Sequence, residues 1–296
     1  MTHDSTAENA DAPRLLLGIN TFVWRSPLTT ANLVTTLENI AALGYEAVEL
    51  ALENLDDWDA NLAAETLGRL NLTSVVGGVF GPGRELAAAS QNTIDQTKSY
   101  VRGAIDVAVR QGSPMVIGPL YTSVGRTWRM DPDERNRSLL QLRESLRDLT
   151  DYAGNSGIKL AIEPLNRYET SLLNTAEQVL DVIEPLPTEA IGLNLDTYHM
   201  NIEEKSIEGT IVASGERLLH LQVSGNDRGA PGEDHINWAA IRSALRQVGY
   251  SGVVGFESFT SDNDTIAVAA SIWRSFAPTQ DDLASKTITF LRDWRG

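Results

Sequence analysis

The most informative segment of the chain reads Leu160-Ala161-Ile162-Glu163-Pro164-Leu165-Asn166-Arg167-Tyr168-Glu169-Thr170. An apolar run at 158–162 ends abruptly in the carboxylate of Glu163, and a proline, a polar turn and a second carboxylate, Glu169, follow it. A short apolar run bounded by turn residues is typical of a buried strand. Parallel α/β barrels carry their chemistry at the carboxyl ends of their strands, so this pattern predicts that Glu163 belongs to a functional site.

Three later apolar runs also end in an oxygen-bearing side chain. They are Leu193-Asn194-Leu195-Asp196, Leu219-His220-Leu221-Gln222 and Val254-Gly255-Phe256-Glu257. Side chains at the ends of successive parallel strands share one rim of the sheet, and carboxylate and amide oxygens suit Mg²⁺ or Mn²⁺. Two carboxylates beside a substrate also suit acid–base chemistry, because one can remove a proton while the other returns it.

The alternation of predicted strands and helices indicates the fold. The eight predicted strands are 15–20, 47–50, 72–77, 114–118, 158–162, 191–196, 218–223 and 253–257. The eight predicted helices are 31–43, 61–70, 92–111, 132–153, 175–183, 206–213, 238–248 and 281–294. The apolar stripe of the third helix is predicted from Val101, Ile105, Ala108 and Val109. Such alternation predicts a parallel sheet, and eight units favour a closed (β/α)8 TIM barrel of the α/β class.

Length and composition fit this fold and exclude other classes. The 296 residues suit one barrel of about 250 residues with insertions. We expect residues 14–296 to form a single catalytic domain and residues 1–13 to be a disordered N-terminal tail, without the apolar core of a secretory signal. A chain without cysteine has no disulfide and no Cys-ligated zinc, and we expect it in the cytoplasm. The net charge of −16 disfavours nucleic acid as a partner, and no apolar run is long enough to cross a membrane.

Four stretches of the chain resemble the xylose isomerase-like TIM barrels, and within them the sugar phosphate isomerase/epimerase family. They are Glu163–Thr170, Leu195–Glu204, Asn226–Gly229 and Gly255–Phe259. The resemblance runs from near Gly18 to the C-terminus and is greatest for the D-tagatose 3-epimerase and D-allulose 3-epimerase branch.

The resemblance implies an activity and a set of site residues. It implies one divalent metal ion, Mn²⁺ or Mg²⁺ with Co²⁺ as a third option, and the implied metal ligands are Glu163, Asp196, Gln222 and Glu257. It also implies that Glu163 and Glu257 exchange the proton on carbon 3 of a ketose through an enediolate. The residues implied to hold the carbonyl end of the substrate are Glu169, His199 and Arg228.

One position departs from the family pattern. Where the family usually has a histidine ligand, six residues before Arg228, this chain has Gln222. His220 faces the same side of the strand but lies about 6.6 Å deeper, so it cannot replace that ligand. A glutamine can ligate through its amide oxygen, which gives an all-oxygen site. We interpret His220 as a hydrogen-bonded interior histidine, with a position behind the metal as the alternative. Glu49, at the end of the second strand, is interpreted as structural.

Aromatic and histidine residues in the loops give weaker signals. Trp24, Trp58 and Trp128 lie in loops after the first, second and fourth predicted strands, and aromatic faces pack against sugars as well as against one another. Trp128 is a candidate for contact with the substrate. His235 lies in a Gly/Pro-rich loop, where a surface position and a place on the rim of the site both remain open.

The leading hypothesis is therefore a sugar epimerase or isomerase acting on a small-molecule sugar, with a homo-oligomer as an option. The alternative is a C-glycoside deglycosidase-type lyase, which the barrel also resembles. Such an enzyme acts on 3-keto-glycosides, expels the aglycone and works with a small β-rich partner subunit. A zinc-dependent nuclease of the same superfamily is disfavoured by the acidic charge, by the lack of cysteine and by the presence of only four histidines.

Overall fold

The computed structural model describes residues 14–296, and the predicted disordered tail lies outside them. The strands are β1 (Leu16–Asn20), β2 (Ala47–Leu52), β3 (Thr73–Gly78), β4 (Met115–Gly118), β5 (Lys159–Ile162), β6 (Ile191–Asp196), β7 (Leu218–Val223) and β8 (Val253–Phe256). Each strand pairs in parallel with its neighbours in the chain, and β8 pairs with β1, with Leu16 opposite Val253. The predicted TIM barrel is confirmed.

Helices connect the strands on the outside of the barrel. They are α1 (Thr30–Leu43), α2 (Ala60–Leu70), α3 (Gln91–Gln111), α4 (Pro132–Asn155), α5 (Ala176–Ile183), α6 (Thr197–Glu203), α7 (Ile207–Ser214), α8 (Trp238–Gln247), α9 (Asp264–Ala269) and α10 (Gln280–Arg295). Short polar side chains cap several helix starts. Asp131, for example, accepts a hydrogen bond from the backbone of Glu134 at 2.8 Å and satisfies a donor that the first turn of α4 leaves free. Across the described chain, no helix combines the length and the hydropathy needed to cross a bilayer.

Two short helices, α6 and α9, were absent from the prediction. α6 begins directly at the end of β6, because Asp196 is both the last residue of that strand and the N-cap of the helix. Its Oδ1 accepts a hydrogen bond from the backbone of Tyr198 at 2.9 Å. No turn residue therefore separates the strand from the helix, and the only helix-start signal is Asp196, which the sequence analysis assigned to the strand.

The predicted apolar stripe of α3 was wrong at one position. Val101, Ile105 and Ala108 are buried, but Val109 is 48% exposed. Val109 follows Ala108 directly, and successive residues of an α-helix lie about 100° apart around its axis. Its side chain therefore leaves the buried face.

The interior of the barrel is divided into an apolar half and a polar half. Val75 on β3, Ile117 on β4 and Ala161 on β5 form a small apolar cluster. The polar half is made by buried side chains from β1, β2, β6 and β7, namely Asn20, Glu49, Asn194, His220 and Gln222. Apolar residues that alternate with these, such as Leu195 and Leu221, pack into the main core. The fold thus directs its interior polar groups to one side of the barrel.

Candidate functional site

A cavity opens where the strands end. Its polar lining consists of Asn20, Glu163, Glu169, Gln222, Arg228 and Glu257. Its apolar walls include Phe22, Phe80, Ile117, Phe259 and Ile266. A concave site with a few converging polar groups and apolar walls is the usual form of a small-molecule site. Most of the predicted site residues are therefore brought together here.

Three buried carboxylates stand on the rim of the barrel. Glu163 directly follows β5, Asp196 ends β6, and Glu257 directly follows β8. The guanidinium of Arg228 links two of them, because its Nη1 contacts Oδ2 of Asp196 and lies 3.1 Å from Oε2 of Glu257. One cation therefore offsets only part of the negative charge at this point.

Arg228 reaches the carboxylates from a tight turn after β7. The backbone of Gly225 donates to Gly229 at 2.8 Å, and Arg228 inside this turn has a φ of 71°. A positive φ is unfavourable for a side chain of this size and is held only where the surrounding structure enforces it. The guanidinium also stacks 4.1 Å above the ring of Tyr198. The turn and the stacking fix the cation beside the carboxylates.

The pKa values of two of the carboxyl groups are strongly perturbed. Burial raises the pKa of Glu163 well above its usual range, and the neighbouring Glu257 and Asp196 raise it further. Burial also raises the pKa of Glu257 to about 8, although Arg228 opposes this shift. A carboxyl group with a raised pKa can hold a proton near neutral pH and is therefore suited to proton transfer.

His199, the third residue of α6, lies between two of these carboxylates. Its Nδ1 accepts a hydrogen bond from the backbone of Asn166 at 3.1 Å, so the proton of the neutral ring is on Nε2. That Nε2 lies 3.4 Å from Oε1 of Glu163, which can accept its proton, and 3.2 Å from Nη2 of Arg228, which is itself a donor and makes no hydrogen bond to a protonated Nε2. Burial lowers the pKa of His199 and favours the neutral ring. The geometry therefore makes His199 a hydrogen-bond donor toward the site.

Glu169 is held by the loops that follow β4 and β5. Its Oε1 accepts a hydrogen bond from Nδ2 of Asn166 at 2.8 Å, and its carbonyl accepts one from the backbone of Gly125 at 2.7 Å. The two loops are joined further along, where the backbone nitrogen of Trp128 donates to the hydroxyl of Ser171 at 2.9 Å. The loop after β4 thus supports Glu169 at the edge of the cavity.

Gln222 lies beside Asp196 in the register of β6 and β7. Its amide nitrogen donates to Glu257 at 2.9 Å, and its amide oxygen accepts from Nδ2 of Asn194 at 2.7 Å. His220 is fully buried, and its Nε2 lies 2.7 Å from Oε1 of Glu49. His220 is therefore the hydrogen-bonded interior histidine that the sequence predicted.

The chemistry of this donor set fits a divalent cation. Glu163, Asp196 and His199 each offer a potential ligand atom within 4.8 Å of the others. Oε1 of Glu163 is buried without a hydrogen-bond partner among residues 14–296, and a bound cation would both satisfy this oxygen and favour the ionised form of the carboxyl group. Oxygen ligands suit hard ions such as Mg²⁺ and Mn²⁺. His199 is the least suited of the three, because its Nδ1 already accepts a hydrogen bond and its Nε2 carries the proton.

The three loop tryptophans of the sequence analysis lie away from the central cavity. Trp128 lines a separate surface cleft, where Arg126 stacks 4.3 Å above its ring. Trp58 is buried and donates to Gln111, and Trp24 donates to Asp281. Within residues 14–296, none of these three side chains lines the central cavity. Its aromatic walls come instead from phenylalanines, which the sequence analysis missed.

His235 also lies outside the central cavity of the described chain. Its side chain is exposed, with Nε2 placed 2.9 Å from Oδ1 of Asn201, and it borders a different cleft. The surface position is therefore the correct one of the two that the sequence left open.

The family follows from a comparison with known proteins. Residues 37–294 match the family model described as a xylose isomerase-like TIM barrel. The chain belongs to this family. The match covers most of the barrel and all the rim residues described above, so the family predicted from the sequence is confirmed.

Several known proteins are similar to this chain over almost their whole length. The L-ribulose 3-epimerase of Methylomonas sp. (strain DH-1) is 29% identical over 283 residues, which cover 94% of this chain and 97% of that protein. The D-allulose 3-epimerase of Methylomonas sp. in complex with D-allulose has 28% identity and a TM-score of 0.85, over 95% of this chain and 97% of that one. The D-psicose 3-epimerase of Clostridium cellulolyticum H10 with D-tagatose has 25% identity and a TM-score of 0.87, over 95% and 99%. All three are sugar 3-epimerases, which are isomerases.

Proposed function

We propose that residues 14–296 act as one catalytic unit, a divalent-metal-dependent ketose 3-epimerase. The observation that carries the proposal is the pair of buried carboxyl groups, Glu163 and Glu257, which face one cavity from β5 and β8 and both have raised pKa values. The similarity to ketose 3-epimerases over almost the whole chain supports the same assignment.

The two glutamates divide the proton transfer between them. One carboxyl group is ionised and takes the proton from carbon 3, and the electrons of that C–H bond move toward the adjacent carbonyl to give an enediolate. The other is protonated and returns its proton to the opposite face of carbon 3, while the carbonyl forms again. In the protein without a bound ion, the raised pKa values of Glu163 and Glu257 allow one of the two groups to hold a proton near neutral pH.

The proposed metal ligands are Glu163, Asp196, Gln222 and Glu257, and the proposed ion is Mn²⁺ or Mg²⁺, with Co²⁺ as a further option. When bound, such an ion supplies a Lewis acid for the carbonyl and hydroxyl oxygens of the substrate. Gln222 contributes an oxygen rather than the nitrogen of the more usual histidine, which favours a hard cation.

The remaining polar residues orient the substrate. The Nε2–H of His199 and the guanidinium of Arg228 are donors for the oxygens at the carbonyl end, and the carboxylate of Glu169 is an acceptor for a hydroxyl. Contact between Trp128 and substrate stays a prediction, and the position of the ring gives it no support. A cytoplasmic location and a homo-oligomer also remain proposals.

Solvent isotope exchange tests this function. The Mn²⁺-loaded protein would be incubated in D₂O with D-fructose, D-tagatose, D-allulose and, separately, a 3-keto-glycoside, and followed by NMR. We expect deuterium at carbon 3 of a ketose together with its 3-epimer. Inertness toward ketoses, with release of the aglycone from the keto-glycoside, would overturn the proposal in favour of the lyase and justify a search for a partner subunit.

A further inference from the structure

Glu49 is a buried carboxylate that the proposed mechanism does not use. It is fully buried on β2, and three N–H donors point at its two oxygens. Oε1 is 2.7 Å from Nε2 of His220, while Oε2 accepts from Nε2 of Gln222 at 2.8 Å and from Nδ2 of Asn20 at 3.0 Å. It therefore connects three strands across the interior of the barrel.

A glycine makes room for this carboxylate. If Gly255 carried a Cβ, that atom would lie 1.6 Å from Oε1 of Glu49 and 3.4 Å from Nε2 of His220. The space beside β8 is thus filled by the pair of Glu49 and His220. The position of the Glu49 carboxylate depends on the absence of a side chain two residues before Glu257.

The contacts of Glu49 determine which way the amide of Gln222 points. Both amide hydrogens of Gln222 are used, one toward Glu49 and one toward Glu257. The reversed amide would place its oxygen against Oε2 of Glu49, and an acceptor facing an acceptor is unfavourable. The carboxylate of Glu49 therefore directs the nitrogen toward β2 and the oxygen toward β6.

On the β6 side, the oxygen of Gln222 has unused capacity. It accepts one hydrogen bond, from Asn194, and an amide oxygen has two lone pairs. Asp196 is the next inward-facing residue of β6 and is the register partner of Gln222. The amide oxygen of Gln222 is thus on the side of the barrel where Asp196 lies, and one of its lone pairs is unused.

We propose that Glu49 is a positioning residue, which holds the amide of Gln222 so that its oxygen, and not its nitrogen, is offered to the metal ion. The inference rests on the proposed function, since it takes Gln222 as a ligand. His220 completes the arrangement by holding the other oxygen of Glu49. Partners that orient a metal ligand in this way typically change metal affinity by about 10- to 100-fold when they are removed.

The test is the Mn²⁺ dissociation constant of the chelator-stripped protein, measured by EPR titration. Glu49→Leu removes both acceptors and is expected to weaken binding about 10- to 100-fold. Glu49→Gln is expected to stay within about threefold of wild type, because its amide oxygen can still accept from Gln222. Its NH₂ would face His220, whose Nδ1 has no partner among residues 14–296 and so allows the ring proton to move. Should Glu49→Leu not fold, Glu49→Asp is the second variant, since its shorter side chain no longer reaches Gln222.

A double-substitution cycle separates positioning from a general effect of charge. In a Gln222→Met background, Glu49→Leu is expected to cause no further loss of Mn²⁺ affinity. Glu85→Gln is the matched control, because Glu85 is a buried carboxylate that accepts from Thr122 and Arg126 outside the cavity; it is expected to leave Mn²⁺ affinity unchanged.

Two results would overturn the inference. One is a loss with Glu49→Gln as large as the loss with Glu49→Leu, which would show that charge alone matters. The other is a full loss from Glu49→Leu in the Gln222→Met background. If Gln222→Met itself binds Mn²⁺ like wild type, then the proposed ligand set is wrong, which is a separate failure.

Discussion

His199 Nε2 lies 3.4 Å from Glu163 Oε1, and the ring is held there by the backbone N–H of Asn166, which donates to its Nδ1. We expect His199→Ala to lower kcat/KM for a ketose by about 10- to 100-fold, the effect of losing one hydrogen bond to a charged or strongly polarised group. Mn²⁺ affinity should stay unchanged, because the protonated nitrogen faces the site. Steady-state kinetics and an Mn²⁺ titration check both expectations.

A histidine outside the cavity provides the control for this substitution. His235→Ala, at an exposed residue beside Asn201, should alter neither quantity. A large loss of Mn²⁺ affinity in His199→Ala would instead identify His199 as a ligand, in agreement with its distance to Glu163 and Asp196.

Glu163 and Glu257 should each be indispensable for turnover. We expect Glu163→Gln and Glu257→Gln, assayed at saturating Mn²⁺, to lower kcat by about 10²- to 10⁴-fold, since an amide cannot take or return the proton on carbon 3. Deuterium exchange at carbon 3 measures the same step without the need for net conversion. Glu233→Gln, at an exposed ion pair with Lys286, should behave as wild type. A wild-type rate in either of the first two variants would contradict the two-carboxyl mechanism.

The stability of the metal-free protein should fall as the pH rises. Burial raises the pKa of Glu257 from the ordinary range of a glutamate to about 8, so between these two values the native state holds a proton that the unfolded state has released. The free energy of unfolding then decreases with rising pH, by up to about 1.4 kcal/mol per pH unit for one proton. The pKa of Glu163 is raised as well, and it shifts stability in the same direction.

Urea unfolding of chelator-treated protein at several pH values between these limits measures this slope. In Glu257→Gln the position no longer titrates, so the decline should be shallower than in wild type. Equal slopes in the two proteins would show that Glu257 titrates alike in the folded and unfolded states.

Gly255→Ala should destabilise the fold, because the added Cβ would overlap Oε1 of Glu49. Overpacking of this kind costs about 1–3 kcal/mol, which corresponds to a fall in Tm of several degrees for a protein of this size. Thermal unfolding compares it with Gly68→Ala, at an exposed glycine of α2 whose Cβ would meet nothing within 4 Å in the described chain. That control should be neutral or stabilising, since alanine is the better helix former. Similar Tm values for both variants would mean that Glu49 can move at little cost.

The barrel could be predicted from the sequence because the pattern that identifies each strand lies within a short stretch of the chain. Each strand is a short apolar run between turn residues, and β6 and β7 were predicted with their observed bounds. The side chains that end the strands follow directly from those bounds. One rim of the barrel therefore carries the four side chains that were expected there, namely Glu163, Asp196, Gln222 and Glu257.

The roles that depend on contacts across the barrel could not be predicted. Glu49 was interpreted as a structural residue of β2, because nothing near it in the sequence indicates that it bonds to His220 and Gln222 on β7. The position of Arg228 depends on a left-handed turn and on stacking over Tyr198. The prediction that Trp128 contacts the substrate gains no support for a similar reason. The long loop after β4 places this side chain against Arg126 and away from the central cavity.

The join between the loops after β4 and β5 also limits how substrate preference can change. Gly125 holds Glu169 through a backbone hydrogen bond, and Trp128 exchanges hydrogen bonds with Ser171. A loop transplanted alone from a related enzyme would keep these hydrogen bonds only if its backbone followed the same course past the other loop. The loops after β4 and β5 therefore behave as one structural unit. We expect substrate preference to change when both loops are replaced together.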